Sequence, residues 1–223
     1  MIGIIDSGIG GKGIKREIKK FLPGVKIEYL ADTKNFPYGT KPVKILHEIL
    51  SNNIQTMIDK GAKVVVLACN SATVSSVKYL RRKFSNAHII GVVPAIKPAA
   101  QTTKTKKIAI FATPITSKSQ AQKKLIDKYC PNIEVYKIPF NDLAGLIEEG
   151  KTSSATSRVA EVWSKYQDKN IDTIVLGCTH YTLIKPEIQK IIGPNIKLVD
   201  SNVAVAKQVK KVYNIIIKEN HGR

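Results

Sequence analysis

One pattern occurs twice in this chain and limits what the chain can become. Residues 64–71 read V-V-V-L-A-C-N-S and residues 173–181 read T-I-V-L-G-C-T-H-Y. Each is an apolar run, then a small residue, a cysteine and short polar side chains. Short unbroken runs rich in β-branched residues fit strands buried on both faces of a parallel sheet. The echo extends further, because I-G-I-I-D-S-G at 2–8 matches I-A-I-F-A-T-P at 108–114, and 25–29 and 133–136 fill a second-strand slot in each half. The opening strands lie 106 residues apart and the cysteines 109 apart. That spacing predicts a duplicated α/β unit.

Amphipathic spacing supplies the helices between these strands. Pro42 opens one with Val43, Leu46, Leu50, Ile54, Met57 and Ile58 on one face, and Gly61 stands where a C-terminal cap belongs. The helix after Cys69 places Val74, Val77, Leu80 and Phe84 inward, and the final helix does the same with Val203, Ala206, Val209, Tyr213 and Ile217. Val159, Val162, Trp163 and Tyr166 carry the spacing of a core face rather than of a base-stacking surface. Residues 36–39, F-P-Y-G, read as a loop. Strand and helix alternate throughout. The fold class expected is α/β, with two pseudo-symmetric, doubly wound parallel-sheet domains facing each other across a cleft.

Charge and cysteine usage bound the setting. Thirty-six Lys and Arg against 17 Asp and Glu give a net charge of +19, a field that attracts anions. The cations are scattered in pairs such as Lys19-Lys20 and Lys106-Lys107, without aromatic interleaving or a nucleic-acid-binding module. Solvated faces are therefore expected rather than a nucleic-acid surface, and an anionic small substrate would still benefit. No apolar stretch approaches the ~20 residues of a membrane span. The strand-like start lacks a basic export signal, so a cytoplasmic protein is expected. Cys69, Cys130 and Cys178 are an odd number and argue against a disulfide framework. Cys130 has no counterpart in the other half and is expected to serve packing.

In open parallel sheets, ligands lie beyond the carboxyl ends of the strands, where helix N-termini point. Asp6, Asp32, Cys69 and Cys178 all fall at such ends. Two thiols on opposite sides of a ligand are what racemisation at an acidic carbon needs: one thiolate removes the proton and the opposite thiol returns one. Asp6 and His180 could hold or relay protons, while Ser7, Asn70, Ser71 and Thr179 could hydrogen-bond the carboxylate and ammonium of an amino acid. Asn70, Ser71 and Thr179 are expected to act as helix N-caps as well. Two rivals are weaker. Cys69, Cys178 and His180 lack the spacing and the fourth ligand of a zinc site. Gly8, Gly10 and Gly13 satisfy G-x-G-x-x-G with Asp32 about 20 residues on, but Asp6 would face the pyrophosphate and the second cysteine would go unexplained.

Together, D-S-G-I-G-G (6–11), A-D-T (31–33), P-Y-G (37–39), A-C-N-S-A (68–72), A-T-x-x-T-x-x-S (112–119), L-I-E-x-G (146–150) and G-C-T-H-Y (177–181) resemble the glutamate racemases of the cofactor-independent aspartate/glutamate racemase superfamily. The resemblance spans nearly the whole chain. It implies that Cys69 and Cys178 are the acid/base thiols, assisted by Asp6 on one side and by Glu148 and His180 on the other. It implies substrate contacts from Asp6, Ser7, Tyr38, Gly39, Asn70, Ser71, Thr116, Thr179 and His180. It further implies interconversion of L- and D-glutamate for peptidoglycan, no pyridoxal phosphate, no metal, and a homodimer. The implied domains are 1–95 with a returning C-terminal helix at 201–223, and 96–200. Aspartate or hydantoin racemisation, and a non-catalytic basic protein binding nucleic acid, remain the alternatives. Several positions depart from the family pattern: Lys12-Gly13 for Leu-Thr, Gln122 for tyrosine, and Thr182 for proline. Ser71 stands where threonine is usual, which keeps the hydroxyl.

Overall fold

The structure is a computed structural model that describes the backbone of residues 1–221 and the side chains of residues 1–219. Gly222 and Arg223, the end of the expected first domain, lie outside the described residues. The chain divides into two compact units, Met1–Val92 with the chain from Asn202 onward, and Val93–Ser201.

The first unit is built on four parallel strands, β1 (Ile2–Asp6), β2 (Ile27–Ala31), β3 (Val64–Leu67) and β4 (His88–Gly91), in the order β2-β1-β3-β4. In register, Ile4 lies beside Tyr29 on one side and Val66 on the other. Because side chains alternate across the sheet, each apolar run feeds two cores. Ile2, Ile4, Val64 and Val66 pack with Ile14 and Ile18 of α1 (Lys12–Phe21) and with Val205, Ala206, Val209 and Ile216 of α10 (Asn202–His221). Ile5, Val65 and Leu67 face the other way, onto Leu46, Leu50, Ile54 and Met57 of α2 (Val43–Asp59) and Leu80 of α3 (Asn70–Lys83). Each aliphatic side chain so buried contributes about 1.5–3 kcal/mol before entropy is charged against it.

The second unit repeats the plan. Strands β5 (Lys107–Ala112), β6 (Glu134–Pro139), β7 (Thr173–Leu176) and β8 (Lys197–Val199) are parallel in the order β6-β5-β7-β8. Ala109, Phe111, Ile174 and Leu176 pack against helices α7 (Leu143–Glu148), α8 (Thr152–Trp163) and α9 (Lys185–Ile192). Trp163 meets Phe111 edge-on at 6.1 Å, so this aromatic is core, as its spacing predicts. Ile108, Ile110, Ala112 and Val175 face α4 (Ile96–Thr102) and α6 (Gln120–Tyr129), with Cys130 buried among them as the C-cap of α6. The α/β class and the doubly wound parallel sheets are therefore present in both units.

Several expectations fail in detail. Val43 and Val203, each in the first turn of its helix, are exposed. Elsewhere on α10 the expected Ala206 and Val209 are buried and Tyr213 packs beside them, with Val205 and Ile216 completing the buried face. On α3 the buried face is Ala72, Thr73, Ser76 and Leu80, with Val74 only half-buried. The start of this helix runs so close to the sheet that a Cβ on Gly91 would lie 2.5 Å from the Thr73 methyl, and small side chains fill that gap. The loop at 36–39 gives way to short 3-10 turns at Thr33–Asn35 and Tyr38–Thr40. The chain before α6 also forms α5 (Pro114–Lys118), begun by the Thr113 hydroxyl accepting from the Thr116 N–H.

Candidate active site

In the first unit the polar groups gather where β1, β2 and β3 end. Asp6, the last residue of β1, is fully buried, and its Oδ1 accepts from the Gly8 N–H at 2.9 Å. The next turn is held by the Tyr29 hydroxyl, which donates to the Gly8 carbonyl at 2.7 Å. Ser7 is buried beside it. Glycine is required at position 11, since a Cβ there would lie 2.8 Å from the Cβ of Ala68 and 3.1 Å from the Tyr29 ring. Gly11 thus serves close packing within the unit.

Cys69 follows Leu67 by two residues and is the N-cap of α3, in extended conformation and half-buried. Its thiol stands at the positive end of a 14-residue helix, a field that favours an anion. The expectation that Asn70 and Ser71 are N-caps is corrected here: both lie inside the first turn and are buried. The Asn70 amide nitrogen is buried with no hydrogen-bond partner. An orphaned buried donor is costly unless something supplies an acceptor, so Asn70 is suited to a ligand oxygen. Thr73 ties the same turn to the sheet, donating to the Leu67 carbonyl at 3.3 Å and accepting from the Val92 N–H at 3.1 Å.

Tyr38 is buried against this corner, and Gly39 follows it in the same turn. The Tyr38 hydroxyl donates to Asp32 Oδ2 at 2.8 Å. Burial, with the Asp32 carboxylate and the Cys69 thiol nearby, pushes this phenol well above the usual tyrosine range, so it stays neutral.

In the second unit, Cys178 again follows its central strand by two residues. The glycine before it is dictated by the neighbouring strand: its N–H donates to the Phe111 carbonyl at 2.7 Å, and a Cβ would meet that oxygen at 3.0 Å. The small residue ahead of Cys178 therefore answers to packing. Thr179 opens the 3-10 helix His180–Ile184 but does not cap it through its side chain. Thr182, in place of proline, donates its hydroxyl to the Thr179 carbonyl at 2.8 Å and holds this turn closed. His180 is sealed in the interior, with Nε2 2.7 Å from Glu148 Oε2 at the end of α7. Thr116 is fully buried and receives the Thr113 hydroxyl at 3.1 Å.

Asp6, Ser7, Tyr38, Gly39, Cys69, Asn70 and Ser71 thus belong to the first unit, and Thr116, Glu148, Cys178, Thr179 and His180 to the second. Within each unit, the residues around the cysteine cluster at the carboxyl ends of the strands. Asn53 and Thr73, which brace this corner, carry no sequence signal that separates them from ordinary helix-surface residues. Among the described residues, no group of three or more His, Cys, Asp or Glu could hold a metal ion, and no helix is long and apolar enough to cross a membrane.

With this geometry in view, likenesses to known proteins become informative. The sequence pattern of the family described as Asp/Glu/Hydantoin racemase matches residues 22–209. Glutamate racemase of Herpetosiphon aurantiacus is 37% identical over 213 residues, covering 95% of this chain and 84% of the relative. That of Clostridium novyi is 36% identical over 212 residues, covering 94% and 82%. Among solved structures, Escherichia coli glutamate racemase in complex with L-glutamate and the activator UDP-MurNAc-ala superposes with a TM-score of 0.88 at 29% identity, covering 95% of this chain and 81% of that one. Francisella tularensis glutamate racemase in complex with D-glutamate gives 0.80 at 32%, covering 98% and 81%. An aspartate racemase from Picrophilus torridus shares the fold, with a TM-score of 0.61 at 18% identity.

Proposed function

The chain belongs to the Asp/Glu/hydantoin racemase family, and on that premise we propose that it interconverts L- and D-glutamate with Cys69 and Cys178 as a pair of proton-carrying thiols. It is an isomerase. The observation that carries the two-thiol reading is the repeated placement: each cysteine stands two residues beyond the third strand, an inner one, of its own four-stranded sheet. A reaction with this economy needs both thiols to reach opposite faces of one Cα. One thiolate takes the Cα proton, breaking C–H and forming S–H. The electron pair left on Cα then takes a proton from the other thiol, forming C–H on the opposite face. The next turnover in the reverse sense, or exchange with water, restores the starting protonation.

The surrounding groups have matching roles. Asp6 lies in the same unit as Cys69, and the His180–Glu148 pair in the same unit as Cys178, so each unit holds a thiol and a carboxylate that would hold or relay charge. The unpartnered Asn70 amide would donate to the substrate carboxylate, with Ser7, Ser71, Thr116 and Thr179 completing the contacts. Cα chemistry then needs neither pyridoxal phosphate nor metal. The product would serve peptidoglycan synthesis in the cytoplasm, and the enzyme would work as a homodimer.

Incubation with L-glutamate in D₂O, without added cofactor, tests this reading. Loss of optical rotation together with deuterium at Cα is expected. Folded, reduced protein giving neither signal would overturn it. Faster turnover of aspartate than of glutamate would instead favour the aspartate reading, which the shared fold alone also permits. Salt-sensitive DNA binding without turnover would favour the non-catalytic one.

A further inference from the structure

Asp32, just beyond β2, is held entirely by neutral donors. Its Oδ2 accepts from the Tyr38 hydroxyl at 2.8 Å, the Asn53 amide at 3.0 Å and the Asn35 amide at 3.0 Å, while Oδ1 accepts from Asn35 at 2.9 Å. Asn53, on α2, reaches Tyr38 as well, donating to its hydroxyl oxygen at 3.1 Å. Asp32, Tyr38 and Asn53 therefore close a triangle of hydrogen bonds. The Tyr38 proton is committed to Asp32 and its oxygen to Asn53, so the hydroxyl is turned into the protein. The ring packs in the same core cluster that Cys69 joins, and the backbone of the turn that carries Gly39 bonds over its own short span, Thr40 N–H to the Pro37 carbonyl and Lys41 N–H to that of Tyr38.

We propose that Asp32 and Asn53 are positioning residues: by clasping the Tyr38 hydroxyl from β2 and α2, they fix the turn Tyr38–Thr40 beside Cys69 and so set the affinity for the substrate. The proposal rests on the glutamate-racemase reading, in which Tyr38 and Gly39 contact substrate. It departs from a simple contact role in assigning the hydroxyl to the protein and not to the ligand. A clasp acting on binding alone weakens ground state and transition state together, so it raises KM while leaving kcat in place.

Kinetics of Asn53→Ala in both directions, with iodoacetamide labelling of Cys69 at graded glutamate concentrations, test the clasp. The expected result is a KM raised about tenfold with kcat kept within about threefold, and a matching rise in the glutamate concentration that half-protects Cys69. A KM and a half-protecting concentration both within twofold of wild type, whatever happens to kcat, would overturn it. Tyr38→Phe, which keeps the ring and removes the hydroxyl, is expected to reproduce the KM rise and stands in if Asn53→Ala does not fold by circular dichroism. Wild-type protein that neither racemises glutamate nor is protected by it would fail the underlying reading. An active wild type with an unchanged variant fails the clasp alone.

Discussion

His180 Nε2 and Glu148 Oε2 lie 2.7 Å apart although 32 residues separate them, and the histidine is the more deeply buried of the two. A carboxylate in that position fixes which imidazole nitrogen is engaged and leaves Nδ1 to face its other neighbours. Glu148→Gln keeps the shape and removes the charge. It is expected to lower kcat by about 10–100-fold with little change in thermal stability, measured as steady-state racemisation beside a melting curve. Because two enantiomers are equally stable, kcat/KM must fall by the same factor in both directions. Unequal factors would show that the assay does not follow racemisation alone.

The cysteines allow a sharper test. On the proposed scheme, Cys69→Ala and Cys178→Ala each leave one thiol of the pair, which would remove a Cα proton and return it to the same face without inverting the carbon. Both variants are expected to lose racemisation, while each still exchanges Cα hydrogen for deuterium in one enantiomer, L-glutamate for one variant and D-glutamate for the other. Mass spectrometry of the recovered amino acid distinguishes them. Wild-type racemisation by either variant would sink the two-thiol scheme.

Gly177→Ala adds a methyl where the Phe111 carbonyl oxygen and the Ala112 Cβ stand 3.0 and 3.2 Å away. Neither neighbour is free to move, since the Phe111 carbonyl already accepts from the Gly177 N–H and both residues lie in β5. The substitution is expected to destabilise by about 1–3 kcal/mol in urea unfolding and to depress activity further by displacing the adjacent Cys178. Full activity and stability would mean that β5 and β7 separate more easily than their packing suggests.

Asp172 carries a pH dependence. Partial burial alone would raise its carboxyl, but the Thr103 hydroxyl beside it, the N–H groups of Thr105 and Lys104 and the Thr173 hydroxyl outweigh this and hold it below the usual aspartate range. A folded-state pKa below the unfolded one gives stability that is complete above the unfolded value, about 3.9, and is lost as pH falls through the folded value. Asp172→Asn is expected to cost about 1 kcal/mol at pH 7 and to flatten the acid limb of the stability curve below about pH 4. Urea midpoints of both proteins from pH 3 to 7 decide it, and parallel curves would refute the assignment.

How far the sequence could be read depended on what each residue's environment demands. The runs around Val66 and Val175 announce strands buried on both faces because only apolar side chains serve there. The cysteines were conspicuous for sharing a position in two similar halves. Helix faces were harder to place. Val77 packs at the edge of the core as its spacing on α3 predicts, yet the residues buried most deeply where the helix approaches the sheet include Thr73 and Ser76. A buried threonine at a close approach cannot be told from a surface one by residue type. Asn53 shows the same limit for the site: it lies one residue from exposed Asn52, and only the folding of β2 against α2 gives its amide a carboxylate and a phenol to hold.

The packing of α10 against α1 has a consequence for synthesis. Translation delivers Ile14 and Ile18 early, while Val209 and Ile216, which cover them, arrive only after the whole second unit. At about 5–20 residues per second, the nascent first unit would carry that apolar face uncovered for on the order of ten to forty seconds. The second unit, contained wholly within Val93–Ser201, can be complete before then. The half that emerges first from the ribosome is thus finished last, and a chain stalled before Val209 would present a folded second unit tethered to an open, chaperone-dependent first one.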